Sequence, residues 1–175
     1  MKMSLSIRCL ALVLILSLGV VAGCIRSPDK EYGGKGEVLS VGAYKPRLLD
    51  RVVYTVQDQN WVITSQEEGF KIAAVRARAV NLTSTQVNLS VDEDAATLNA
   101  KEGDEFKLFE PGTRAVETTE EAPEDNPYGA HLWGQFQLFK GFEIAGWLFF
   151  EVPKDSEFSD IIWDDVEFVR VPYPE

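Results

Sequence analysis

An all-β domain, an immunoglobulin-like sandwich of two antiparallel sheets with about seven to nine strands, is predicted by three observations. Short β-branched and aromatic runs recur between turn signals along most of the chain. Almost no stretch carries an apolar stripe at helical spacing. The run Lys140 to Pro153, KGFEIAGWLFFEVP, is apolar on both sides when read with period two. Ile144, Leu148, Phe150 and Val152 fall on one face, Trp147 and Phe149 on the other. A strand of that kind needs a second sheet on one side and a further cover on the other.

The chain opens with an address. Lys2 and Arg8 precede an apolar core, Cys9 to Val20, that is too short to span a bilayer comfortably. Residues 1–23 therefore read as a signal peptide. Its end, Val21-Ala22-Gly23-Cys24, resembles the lipobox of prokaryotic lipoproteins, which implies cleavage before Cys24 and attachment of lipid to its thiol. Two or more acyl chains hold a protein stably where one holds it marginally. Residues 24–36, polar and rich in Gly and charge, read as a flexible tether, and residues 37–175 as the sandwich.

Within the domain, Val38 to Tyr44 alternates and stops at Pro46. Arg51 to Gln57 is a β-branched and aromatic strand, and Trp61 to Thr64 either continues it or begins the next. Phe70 to Asn81 puts Ala73, Val75, Ala77 and Ala79 on one face and Arg76 and Arg78 on the other, which favours a strand over a helix. Thr85 to Val91 is half-buried. Ala96 to Ala100 and Glu105 to Phe109 make a hairpin-like pair. Pro111 to Gly129 holds Glu117, Glu120, Glu121, Glu124 and Asp125 and cannot bury a face, so a long surface loop is expected. Leu132 to Phe139 precedes the central strand, and Ile161 to Val171 reads as one closing strand.

Taken together, Thr55-Val56, the strand from Gly69-Phe70-Lys71 to Asn81, and the Gly-Trp-Leu-Phe-Phe-Glu-Val-Pro strand resemble the telokin-like immunoglobulin-fold domains of unknown function. Those domains occur in secreted or lipid-anchored prokaryotic proteins. The resemblance implies a non-enzymatic extracytoplasmic module and transfers no catalytic residue.

Charge excludes one class of partner. The net charge is −11, and removal of residues 1–23, which carry two cations and no acid, takes it to −13. Such a surface repels phosphate backbones, so nucleic acid is not an expected partner. The mature chain keeps Cys24 alone, so neither a disulfide nor a cysteine metal site is expected.

No P-loop, nucleophile elbow, HExxH or EF-hand spacing is present. His131 is the only histidine and reads as structural. Acids cluster at Asp92 to Asp94, Glu120 to Asp125 and Asp164-Asp165. They read as solvated turns, with calcium or small-ligand binding as the alternative and a carboxylate hydrolase behind it. No metal or cofactor is expected. Asn81-Leu82-Thr83 and Asn88-Leu89-Ser90 match the glycosylation sequon at positions readable as exposed, and carry weight only in an archaeal chain.

The expected function is a lipid-anchored, non-catalytic binding module of the cell envelope. It meets the membrane through Cys24 and an unknown protein or envelope component elsewhere. Trp133, Trp147, Phe149 and Trp163 are the candidate partner-binding aromatics. Either they form an open patch, or the acidic loop folds over them with Val116 and Tyr128 as plugs, the arrangement favoured here.

Overall fold

The computed structural model describes residues 30–174. The signal peptide, Cys24 and the first part of the tether lie outside them. Fourteen strands follow in order: β1 (Glu31–Lys35), β2 (Leu39–Tyr44), β3 (Arg47–Leu49), β4 (Arg51–Val56), β5 (Gln59–Thr64), β6 (Phe70–Asn81) and β7 (Gln86–Val91). Then come β8 (Ala96–Ala100), β9 (Glu105–Lys107), a four-residue helix α1 (Pro111–Arg114), β10 (Val116–Glu117), β11 (Gly134–Phe139), β12 (Glu143–Pro153), β13 (Phe158–Asp165) and β14 (Glu167–Pro172). The count exceeds the expected seven to nine because β3 and β10, of three and two residues, leave little pattern in a sequence, β1 lies in the stretch read as tether, and the closing stretch divides into two strands.

The domain is a β-sandwich with an added outer layer. Its middle sheet has the order β1-β2-β6-β12, with β3 also on β6, and the sheet β14-β13-β8-β9 lies opposite. The β7-β11 pair closes the side of the same core. All the ladders are antiparallel. Ala73, Val75, Ala77 and Ala79 of β6 and Leu148, Phe150 and Val152 of β12 point into this main core, as their alternation requires.

On the outer face of the same sheet, Ile72, Ala74, Trp147 and Phe149 form a second core with Val52, Tyr54 and Ile63 of the β4–β5 hairpin, and with Phe109 and Tyr128. The middle sheet is therefore covered on both sides. The hairpin turns at Gln57 and Asp58, both with positive φ (52° and 62°). That is the geometry whose twist matches a two-residue hairpin, and it makes Trp61 to Thr64 part of a new strand.

Three expectations change. Glu31–Lys35, inside the stretch read as tether, is a strand. Its Gly34 is there for packing, since a Cβ at that position would lie 2.3 Å from the Arg170 carbonyl oxygen. Ile161 to Val171 is two strands, because the chain reverses at Val166 (φ 68°). Asn81 is fully buried: its Nδ2 donates to the carbonyls of Ser84 (2.8 Å) and Leu138 (3.0 Å), and its Oδ1 accepts from Ser84 N–H (3.1 Å). An amide so used is closed to a glycan in the folded domain, whereas Asn88 is exposed.

Candidate functional site

The four candidate aromatics do not come together on one face, and Trp147 and Phe149 are covered as the favoured arrangement requires. Trp163 is buried (1% exposed) in the main core, because β13 belongs to the opposite sheet and turns Ile161 and Trp163 inward. Phe149 is equally buried, in the outer core. Trp133 is half-buried against the main core and lines an acidic cleft with Asp92, Glu93, Asp94 and Glu110. Among the described residues, no three His, Cys, Asp or Glu side chains are grouped as a metal ion would need. Of the loop residues read as plugs, Tyr128 is buried on Trp147, whereas Val116 is 64% exposed. Tyr128 lies on Trp147, Phe109 and His131 lie on Phe149, and the β4–β5 hairpin completes the same outer core.

Trp147 instead helps to line a pocket of about 550 Å³ on the outer face of the middle sheet, built from four separate segments. The end of β2, the corner after it and the start of β3 bring Tyr44, Lys45 and Arg47. Arg76 comes from β6, directly opposite Trp147 in the β6–β12 register. Asp125, Asn126, Pro127 and Ala130 come from the loop before β11, and Ala145 and Gly146 from β12.

Backbone contacts fix the loop wall. Trp147 N–H donates to Ala130 O (2.9 Å) and Leu132 N–H to Trp147 O (3.0 Å), so His131 runs parallel beside Trp147. This approach requires a glycine at 146, where a Cβ would stand 2.9 Å from both Ala130 O and Leu132 N. Asn126 hydrogen-bonds Thr55 in both directions, accepting from its N–H (2.9 Å) and donating to its carbonyl (2.8 Å). The Trp147 indole N–H donates to Pro127 O.

The charge of the pocket opposes that of the chain. The Arg47 guanidinium lies 5.4 Å from the Trp147 ring centre, the Arg76 guanidinium 5.7 Å from Tyr44, and Lys45 Nζ 5.9 Å from Tyr32. A cation over an aromatic face is held electrostatically, which leaves the Arg76 guanidinium its hydrogen-bonding capacity, whereas Lys45 also donates to Pro174 O (3.0 Å). The contrast with Arg78, two residues along β6, is informative. Arg78 donates to the carboxylates of Glu31 and Glu143 (3.1 Å for the latter), and its hydrogen bond to Glu31 pushes its pKa further up. No ion pair is formed by Arg76 among the described residues, and it is exposed. Asp125 is the one carboxylate lining the pocket. Such a site suits the planar oxygens of a carboxylate or phosphate, which arginine engages with two parallel N–H groups.

His131 serves structure beside this site. Its ring stands edge-on to Tyr54 (4.5 Å) and Phe149 (5.4 Å), and its Nε2 is buried without a partner. Burial pushes its pKa down, against a smaller upward effect from a hydrogen bond to the Tyr128 backbone. The imidazole is neutral at pH 7 and helps to line a smaller cleft with Tyr54, Val56 and Trp61.

Comparison with known proteins places the chain in no family: no family model matches it, and no curated protein does. The telokin-like resemblance thus remains a resemblance. Two crystal structures are similar. One is ycdA of Bacillus subtilis subsp. subtilis str. 168, a candidate lipoprotein, at 14% identity and a TM-score of 0.46, covering 79% of this chain and 35% of that one. The chain thus spans about a third of that protein's length. The other is the secreted protein MPT63 of Mycobacterium tuberculosis, at 14% identity and a TM-score of 0.39, covering 82% of this chain and 92% of that one. Likenesses this distant say nothing of what this chain binds.

Proposed function

We propose that this protein is a lipid-anchored, extracytoplasmic binding module, non-catalytic, that takes an anionic group in the pocket between Arg47, Arg76 and Trp147. The observation that carries the ligand class is the open guanidinium of Arg76 in a chain of net charge −11, two residues from an arginine bound by two carboxylates. A large excess of acids would neutralise an incidental surface arginine readily. The lining groups bind and orient anions, with Trp147 and Tyr44 providing flat apolar walls. The anchor rests on the sequence, Val21-Ala22-Gly23-Cys24 directly after the apolar core.

Titration calorimetry of the soluble mature chain with poly-L-glutamate and, separately, with inorganic phosphate tests the ligand class. Binding of either that is lost in Arg76→Glu and kept in Lys154→Glu, a charge-matched change outside the pocket, supports it. Equal loss in both variants would reduce the effect to net charge. The anchor is tested by Cys24→Ala, which releases the protein to the soluble fraction or leaves it unprocessed. A processed, membrane-bound Cys24→Ala protein would refute the lipoprotein reading.

A further inference from the structure

Among the described residues six large apolar side chains are exposed, and four of them occupy one end of the sandwich. Phe139 (50%) and Phe142 (64%) flank the Lys140-Gly141 turn between β11 and β12, with ring centres 6.4 Å apart. Val166 (49%) and Phe168 (61%) belong to the β13–β14 turn. The two turns share one end because hydrogen bonds link them. The Glu167 carboxylate accepts from the N–H groups of Glu37 (2.8 Å), Val38 (2.9 Å) and Leu39. Leu82 N–H donates to Val38 O (2.7 Å), Asn81 N–H to Phe142 O (3.1 Å), and Gly141 N–H to Asn81 O (2.7 Å).

Both turns are held rigidly. Phe142 N–H closes its turn on Phe139 O (3.0 Å), and Lys140 N–H donates to Thr85 O (3.2 Å). Asp165 accepts from Ser90 N–H (2.8 Å), and the Trp163 indole donates to Asp165 O (2.9 Å). A soluble monomer seldom gathers such side chains without an occupant for them. Nothing in the fold requires two phenylalanines beside Lys140.

We infer that this end is a second membrane contact, in which Phe139, Phe142, Val166 and Phe168 enter the interfacial layer of the bilayer that holds the anchor. Lys140 lies between the phenylalanines, where its stem follows the apolar surface and its ammonium stays at headgroup depth. The reach of the chain permits this pose. β1 enters at Glu31 and runs five residues to this end, about 17 Å at strand rise. The seven residues from Cys24 to Lys30 extend to about 23–25 Å, enough to return the anchor to the level of the two turns. The inference draws on the anchored reading for its orientation. A zwitterionic surface is the fitting one, since the net charge disfavours anionic lipid.

The test separates this contact from native lipidation. The mature chain with Cys24→Ser, carrying an N-terminal hexahistidine, is held on phosphatidylcholine vesicles doped with nickel-chelating lipid. A single thiol, Phe142→Cys, carries a polarity-sensitive fluorophore, and Glu68→Cys at the opposite end is the control. The expected result is a blue shift and several-fold protection from aqueous iodide at 142, with neither at 68. Adding Phe139→Asp and Phe168→Asp should abolish the shift. Equal emission and quenching at 142 and 68 would overturn the inference, and so would a shift that survives the double substitution, since the probe alone would then be entering the lipid. The Cys24→Ala fractionation above reports on the anchor independently.

Discussion

Tyr128 and Trp147 meet with ring centres 4.7 Å apart, and the indole N–H of Trp147 donates to the carbonyl of Pro127, the residue before Tyr128. One short segment thus covers the tryptophan and walls the pocket beside it. The segment is moored at Asn126, whose amide makes two hydrogen bonds to the Thr55 backbone.

Asn126→Ala removes both. Two backbone groups of Thr55 are left to find other partners, at a cost of about 1–3 kcal/mol. The expected outcome is a lower denaturation midpoint together with red-shifted, more readily quenched tryptophan emission. An unchanged midpoint would show that Tyr128 alone moors the segment.

Tyr128 and Val116 are the two apolar side chains of the acidic loop that the sequence allows as plugs, and the structure separates them. Tyr128→Ala opens a hole beside Trp147 and should cost about 3 kcal/mol, read from chemical denaturation. Val116→Ser, at a position 64% exposed, should stay within about 0.5 kcal/mol. Comparable costs for the two would mean that Val116 packs in solution as it does not here.

What was legible in the sequence is what period two encodes. The two apolar faces of β12 required a cover on each side, and the alternation along β6 placed Ala73, Ala77 and Ala79 inward and its arginines outward. Tyr128 was legible as part of the outer cover, whereas the hairpin was not, because Tyr54 and Ile63 carry no mark of which sheet face they will meet. The place of Trp163 in the main core is hidden for a related reason: a tryptophan's side of a strand can be read, but not the sheet to which the strand belongs. Gly33 and Gly34 look like linker residues by composition, although Gly34 is there because β14 passes too close for a side chain. The pocket was invisible for a third reason. Tyr44, Arg76, Asn126 and Trp147 lie on four segments that only the tertiary fold brings together.

His131 makes stability depend on pH in a definite direction. Burial holds its folded pKa below the ordinary value of 6.5, so the unfolded chain takes up the proton first as pH falls. Stability is therefore level above about pH 7 and declines as pH falls through 6.5 toward the folded pKa. Glu151 and Asp160 act at lower pH. Burial raises each, but hydrogen bonds led by Ser65 for Glu151 and by Arg170 for Asp160 outweigh it and leave both below the usual carboxylate range. Denaturation midpoints between pH 8 and 5 should fall for the parent and stay flatter for His131→Gln, after allowance for its lower starting stability. Parallel curves would place the imidazole in water.

Val166 offers the last prediction. A β-branched residue with φ 68° occupies the left-handed region, where its Cβ crowds the following carbonyl at a cost of about 1–2 kcal/mol. The turn persists because its neighbours fix it from both sides. Asp165 is held by Ser90 N–H and Trp163 Nε1, and Glu167 by three backbone N–H groups of residues 37–39. The half-exposed Val166 side chain contributes little packing to offset the strain. Asparagine tolerates this backbone conformation, so Val166→Asn should stabilise the domain by about 1 kcal/mol, seen as a higher denaturant midpoint with an unchanged slope. The same variant should hold less well to phosphatidylcholine vesicles, since it replaces one of the four apolar side chains at that end with an amide. A gain in stability with unaltered vesicle contact would confine Val166 to the turn and leave the contact to the phenylalanines, whereas a loss of stability would show that the valine packs more than it strains.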